Sequence, residues 1–374
     1  MLYLIFENDI KRKETVINSF SETYDEARRK FVAEATQAGG ALERIVNPER
    51  GPDGHTLSTD IARFGPASAE KLLVMISGTH GVEGFYGSGV QVEWLVRGGA
   101  SNLPKDTAAL LIHAINPYGF AWQRRVDENN VDLNRNWLDF SRPLPVNKGY
   151  AELADALCPT DWSPETQHST GVDIGAWVAR NGVAALQQAI TGGQWHYPHG
   201  IFYGGSEPVW ARRTLTDILT RQAQEAGRVL LLDFHTGLGA YGVAELIIHR
   251  RPDDQAFTRT QAWVGKGSTS YLGGNSVASE ISGDGFSAIP SLLCHATVDA
   301  VTLECGIRAI DEVGTALRAD AWLHRYGDPL SPQGRTIKSQ IRAAFDDPSA
   351  EWRGMAAGQA LAAIRAAVGE LSQI

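Results

Sequence analysis

The chain has 374 residues, 43% hydrophobic and 21% charged, which is enough apolar material to bury a substantial core in an ordinary globular protein. Its 43 acidic against 34 basic residues give a formal net charge of −9, and no basic stripe compensates, so nucleic acid and anionic membrane surfaces are not expected partners. Cys158, Cys294 and Cys305 are too few and too scattered for a disulfide framework or a thiol metal site. No apolar run approaches the ~18 residues that a membrane span requires.

At the N-terminus, MLYLIFENDIKRKE places its basic residues after its apolar run, the reverse of a secretion signal, and a cytoplasmic location is expected. Residues 20–43 read as an amphipathic helix, with Ser21 or Thr23 as cap and Gly39–Gly40 as terminator. A strand is expected in LSTDIARFG. Unbroken apolar runs at 71–77, 109–115, 228–234, 244–249 and 300–304 then read as strands buried on both faces. The polar region 138–206 is too long for a plain loop; it is expected to carry helices and to help wall a site. Residues 207–227 predict a helix capped by Ser206, with Pro208 in its first turn.

Alternating buried strands and helices imply an α/β sheet covered on both sides. No repeat, low-complexity tract or linker divides the sequence. A single domain over 1–374 is therefore expected, with a helical lead-in at about 1–50 and a helical C-terminal segment at about 310–374.

His80 and Glu83 fall just beyond the run at 71–77, in LLVMISGTHGVEGFYGSG, and His235 ends the run LLLDFH. In open α/β sheets ligands gather beyond the carboxyl ends of the strands. Two imidazoles and a carboxylate leave one position open on a tetrahedral zinc, the catalytic rather than the structural arrangement. A His-x-x-Glu also recurs by chance, and a strand-end His is often only a hydrogen-bonded structural residue. Of the ten histidines, however, only His80 has a Glu three residues on.

A second cluster lies in NPYGFAWQRRVDENNVDLNRNW, residues 116–137, which concentrates Arg124, Arg125, Asn134 and Arg135. Guanidinium groups suit carboxylates and developing oxyanions. The alternative is a solvated turn whose arginines pair with Asp127, Glu128 and Asp132. A third feature is Glu304 in DAVTLECG: a carboxylate ending an apolar strand is costly there without a partner or a chemical role. It can take a proton from water at a metal, or pair with one of the arginines. Cys305 beside it reads as a small packing residue.

Together, and in this order, these segments resemble the zinc carboxypeptidase family, the clan of carboxypeptidase A, and more closely a bacterial branch of it. The resemblance spans roughly residues 20–330. It implies a mixed, mostly parallel central sheet with helices on both faces. It also implies one zinc ion held by His80, Glu83 and His235, with Glu304 as general base and acid. Asn134 and Arg135 match the pair that grips a terminal carboxylate. Arg125, nine residues before Asn134, matches the residue that polarises the scissile carbonyl; its neighbour Arg124 is the alternative and is counted among the substrate contacts. Asp132 matches the carboxylate that orients the first metal histidine. Tyr271 is the nearest Tyr upstream of Glu304, but no alignment assigns it a role.

The implied activity is zinc-dependent cleavage of an amide next to a free carboxylate, on a peptide. The alternative is removal of an acyl group from an amino acid, as in aspartoacylase and succinylglutamate desuccinylase of the same clan. Those enzymes append a β-rich C-terminal domain, whereas the residues after Glu304 read as helices here. A third reading is a non-catalytic zinc- or peptide-binding protein, although no fourth protein ligand stands out to close the metal shell. No Gly-x-Ser-x-Gly elbow or P-loop is present.

Overall fold

The computed structural model of the protein describes residues 18–373; the N-terminal apolar run and the start of the expected lead-in lie outside them. The apolar runs form strands of one seven-stranded sheet: β1 (Ala41–Arg50), β2 (Thr56–Phe64), β3 (Lys71–Ser77), β4 (Thr107–His113), β5 (Arg228–Gly237), β6 (Ala244–Ile248) and β7 (Thr297–Gly306). The order across the sheet is β1-β2-β4-β3-β5-β7-β6. The central pairs β4–β3, β3–β5 and β5–β7 are parallel, while the flanking β1–β2, β2–β4 and β6–β7 pairs are antiparallel. This is the expected mixed sheet, parallel through its central strands.

The helices are α1 (Tyr24–Gln37), α2 (Gly84–Val96), the short α3 (Pro117–Ala121), α4 (Lys148–Leu157), α5 (Pro164–Asn181) and α6 (Val183–Thr191). They continue with α7 (Trp210–Gln222), α8 (Gln255–Val264), α9 (Gly285–Leu292), α10 (Ile310–Tyr326), α11 (Pro332–Phe345) and α12 (Ala350–Gln373). Among the described residues, no helix is long and apolar enough to cross a membrane.

Alternation along the central strands builds two cores. Leu73 and Met75 of β3 and Leu230 and Leu232 of β5 pack under α1, α2, α8 and α12. Leu72, Val74, Val229 and Leu231 face the other way, against α7 and α9. Fully burying a Leu or Val in this manner contributes about 1.5–3 kcal/mol relative to leaving it exposed. The long 138–206 region does carry helices: Tyr150, Leu153 and Trp177 from α4 and α5 join Val313, Leu317 and Phe345 of α10 and α11 in a third core.

Two expectations need correction. The lead-in is helical only to Gln37, where Thr23 caps α1 by accepting from the Glu26 N–H, and residues 41–50 form β1. β1 is an edge strand with most of its side chains exposed, so it carries no apolar run to announce it. Helix α7 starts at Trp210, later than read, with Val209 at its cap position and no side-chain cap.

The strand order also creates a crevice. From β3 the chain returns to pair on one side, as β4; from β5 it returns on the other, as β7. β3 and β5 are therefore neighbours whose connections diverge, which is where α/β sheets bind ligands. The turn leaving β3 is fixed there by backbone: the N–H groups of Gly81 and Val82 donate to the carbonyls of Arg125 and Arg124. A Cβ on Gly81 would lie 2.0 Å from the carbonyl carbon of Gly119. Gly81→Ala is thus expected to cost about 3 kcal/mol, read as a lowered denaturant midpoint; an unchanged midpoint would mean the two segments are not locked together.

Candidate active site

At the β3–β5 crevice, His80, Glu83 and His235 place one ligand atom each within 4.8 Å of one another. Nδ1 of His80 lies 3.0 Å from one Glu83 oxygen, and Nδ1 of His235 lies 3.0 Å from the other. The two Nδ1 atoms are 3.1 Å apart. All three residues are buried, between 1% and 4% exposed. His80 and Glu83 come from the turn and 3-10 helix that follow β3, and His235 from the carboxyl end of β5.

The outer nitrogens are also held. His80 Nε2 sits 3.1 Å from Asp132 Oδ1, and His235 Nε2 sits 2.6 Å from Asp233 Oδ2. A carboxylate at Nε2 favours the tautomer with its proton there, which leaves the Nδ1 lone pair turned inward. Two inward lone pairs and a carboxylate at such distances form a donor set that could hold a metal ion. Four buried carboxylates (Glu83, Asp132, Asp233 and Glu304) converge on this region, so a dication suits the charge as well as the donor set. Two imidazoles and a carboxylate are ligands that zinc takes well.

Titration reflects the same crowding. Burial disfavours a charge on Glu83, yet His80 and His235 hold its carboxyl far below the usual range. Burial likewise opposes charge on Asp132, but Arg125, His80 and Arg135 hold it well down. Burial works against a charged His235 too, and Asp233 and Glu83 outweigh it, raising that imidazole well above its ordinary value.

Glu304 lies near the carboxyl end of β7, directly opposite His235 in the parallel register. One of its oxygens accepts from the Leu238 N–H at 3.0 Å. Burial, reinforced by nearby Glu83, pushes its carboxyl up to about 7, against His235, the Leu238 N–H and Arg125. Arg125 donates from Nη1 to Glu83 and from Nε to Asp132, at 3.0 and 3.1 Å. Asn134 and Arg135 lie on the 3-10 turn that Asp132 caps. The Arg135 guanidinium donates to the carbonyls of Thr191 and Asn134 and is nearly buried. Arg125, Asn134, Arg135, the two histidines and Glu304 all line one cavity of about 100 Å³.

Arg124 is the exception. Its guanidinium turns away to Asp320, with Nε 3.1 Å from Oδ2 and both side chains 4% exposed, and it also donates to Asn130. The sequence favoured Arg125 only by its spacing from Asn134 and kept Arg124 as a substrate contact; the backbone separates the two by sending successive side chains in different directions.

Other residues in and behind the cavity were given no role by the sequence. Asp233 was legible in principle, since an Asp two residues before His235 on a strand shares its face. Phe202 is not a polar residue, yet its ring lies under both Arg125 and Arg135, at 5.1 and 5.4 Å from their guanidinium carbons. Tyr271, His249 and Thr302 line the far wall. These come from separate segments, and nothing local in the sequence joins them. A larger cleft of about 770 Å³, between α5, α10 and α11, contains none of these residues.

The placement of Arg124 gives a direct expectation. Arg124→Ala should cost about 3 kcal/mol, since it leaves Asp320 partly uncompensated in a buried site, without changing the divalent-metal affinity of the centre. Lost metal binding in a folded Arg124→Ala protein would return Arg124 to the site.

Comparison with known proteins gives structures of similar course at very low identity. Carboxypeptidase A from Helicoverpa armigera is 12% identical, aligned over 86% of this chain and 74% of its own, with a TM-score of 0.41. Bovine thrombin-activatable fibrinolysis inhibitor, in complex with tick carboxypeptidase inhibitor, is 14% identical over 93% and 98%, with a TM-score of 0.40. An aspartoacylase family protein from Mesorhizobium loti is 13% identical over 76% and 67%, with a TM-score of 0.35. Likenesses this weak say nothing of chemistry. No curated protein matches the sequence. Residues 20–359 match the family described as "Protein of unknown function (DUF2817)", and the chain belongs to that family.

Proposed function

We propose that the chain is a zinc-dependent hydrolase that cleaves an amide bond next to a free carboxylate, in the manner of a carboxypeptidase. The observation that carries this is the convergence of the His80 and His235 Nδ1 atoms on the Glu83 carboxylate, with a carboxylate behind each ring. His80, Glu83 and His235 would hold one zinc ion. Bound there, zinc supplies Lewis acidity and makes water acidic enough to serve as a nucleophile near neutral pH.

The protein's own residues then divide the work. Glu304, at the same cavity and tuned to about 7, accepts a proton from the attacking water and returns it to the leaving amine. Arg125 presents N–H groups to the developing oxyanion, fixed in place by Asp132 and Glu83. Asn134 and Arg135 hold the substrate carboxylate. A guanidinium has five N–H donors, and Arg135 commits only some of them to backbone carbonyls. Asp132 keeps His80 and Arg125 oriented at once.

The substrate is a peptide end or an acylated amino acid. One observation favours the smaller of the two: the cavity measures about 100 Å³ and its metal-binding side chains are almost fully covered. A free carboxylate next to the cleaved amide is common to both. Mass spectrometry of products from peptides and N-acyl amino acids, each with free and amidated carboxyl ends, tests the reading. Cleavage of only the free-ended compounds is expected; cleavage of amidated ones as readily would remove the clamp from the mechanism.

Glu304→Gln is expected to abolish turnover while keeping zinc, checked by metal content alongside rate. Since Glu304 must be ionised to take a proton, and a neighbouring dication can only lower its pKa, kcat/KM should climb with pH along a limb centred at or below about 7. A rate that falls with pH through that range would contradict the role. Asp132→Asn should weaken zinc binding roughly 10–100-fold, read by chelator competition; unchanged affinity would show that His80 needs no such support.

A further inference from the structure

The cavity wall away from the metal ligands holds a polar group that the proposed hydrolysis does not use. β6 and β7 are antiparallel, with Glu245 opposite Glu304 and Ile247 opposite Thr302. Thr302 therefore shares a face with Glu304, one strand step deeper. His249 follows β6, and its ring bridges two partners: Nδ1 lies 2.8 Å from Asp284 Oδ2, and Nε2 lies 2.9 Å from Thr302 Oγ1. The Tyr271 hydroxyl donates to the same Asp284 oxygen at 3.1 Å. His249, Tyr271 and Thr302 line the cavity together with Asn134 and Arg135, while Asp284 stands behind them.

Asp284 gathers donors from every side. It caps α9, accepting from the backbone N–H groups of Phe286 and Ser287 and from the Ser287 hydroxyl. Burial opposes its charge, but His249, Ser287 and the Phe286 N–H hold its carboxyl well below the ordinary range. With His249 as the neutral imidazole, its Nδ1–H faces the Asp284 carboxylate, so Nε2 is the acceptor and Thr302 donates to it. The Tyr271 proton is committed to Asp284 as well. What the wall turns toward the cavity is then oxygen lone pairs, on Thr302 Oγ1 and the Tyr271 hydroxyl.

We propose that this wall reads the side chain of the residue carrying the substrate's free carboxylate, and selects a short one that ends in a neutral hydrogen-bond donor, a hydroxyl or a primary carboxamide. The inference rests on the clamp reading of Asn134 and Arg135 given above. Length is limited by the cavity of about 100 Å³. A cationic side chain would meet Arg135 at the same wall, and a side-chain carboxylate, with the Arg135 donors given to the substrate's terminal carboxylate, would find only the acceptors of Thr302 and Tyr271. Thr302 makes the contact; His249 and Asp284 act through it and are positioning residues.

Calorimetric titration of the zinc-loaded protein with free amino acids, the product form, tests this without requiring turnover. The probes are threonine against valine, asparagine against leucine, and aspartate and lysine. Threonine and asparagine should bind about tenfold tighter than their isosteres, as one net hydrogen bond provides. Thr302→Val should erase the difference by weakening threonine and asparagine relative to their isosteres, and Thr302→Ser should keep it. Equal affinities within each pair would overturn the proposal. So would tighter aspartate or lysine, an unchanged preference in Thr302→Val, or no binding of any of the six. If the protein discriminates as expected but cleaves none of the corresponding peptides or acyl amino acids, hydrolysis is what fails and the side-chain pocket stands.

Discussion

Glu83 is a carboxylate only 1% exposed, and its burial sets requirements that spread outward through the site. Taking such an ion out of water costs several kcal/mol unless charge and hydrogen bonds replace the solvent. Its oxygens meet His80, His235, the Arg125 guanidinium and the Thr236 N–H. The two histidines are buried in turn, Arg125 is mostly so, and each needs partners of its own. Asp132 serves His80 and Arg125; Asp233 serves His235 and the Thr79 hydroxyl. The result is a closed network in which every ionic group fixes the geometry of the next, a preorganisation that suits both metal binding and catalysis.

That network is possible because of where the strands end. β3 and β5 are parallel neighbours whose connections leave in opposite directions, so their carboxyl ends border a crevice rather than a packed crossover. The turn after β3 brings two metal-ligand types into that crevice, and backbone contact with the Arg124–Arg125 segment holds it down. β5 and β7 then set His235 beside Glu304 by register alone. Covering the crevice falls to segments remote in sequence: α6 supplies Thr191, α10 supplies Val313 and Leu317, and the 278–281 stretch supplies Ala278, Ser279 and Ile281. They enclose a polar centre in a small volume, where electrostatic effects are stronger than in water.

Much of this could be read from the sequence, for identifiable reasons. The four central apolar runs, β3, β4, β5 and β7, were visible because strands buried on both faces tolerate no polar alternation, whereas β6, expected to be buried likewise, is a half-buried edge strand. β1 was invisible for the complementary reason, as an exposed edge strand that includes Glu43, Arg44, Glu49 and Arg50. His80, Glu83, His235 and Glu304 each sit at a strand end, where a polar residue after an apolar run is conspicuous. Arg125 was preferred to Arg124 only by its spacing from Asn134, since adjacency carries no information about direction until the backbone is known. The His249–Asp284–Tyr271–Thr302 wall joins four separate stretches of chain, and no local pattern could have announced it.

Cobalt substitution tests the central claim most directly, namely that His80, Glu83 and His235 bind one catalytic dication with an open position. The metal-stripped protein would be titrated with cobalt(II) and its visible spectrum recorded before and after zinc is added. One equivalent should bind, giving the intense bands of a four- or five-coordinate nitrogen–oxygen site, displaced by zinc and absent in His235→Ala. A weak six-coordinate spectrum like that of cobalt in water, or bands that survive in His235→Ala, would contradict it.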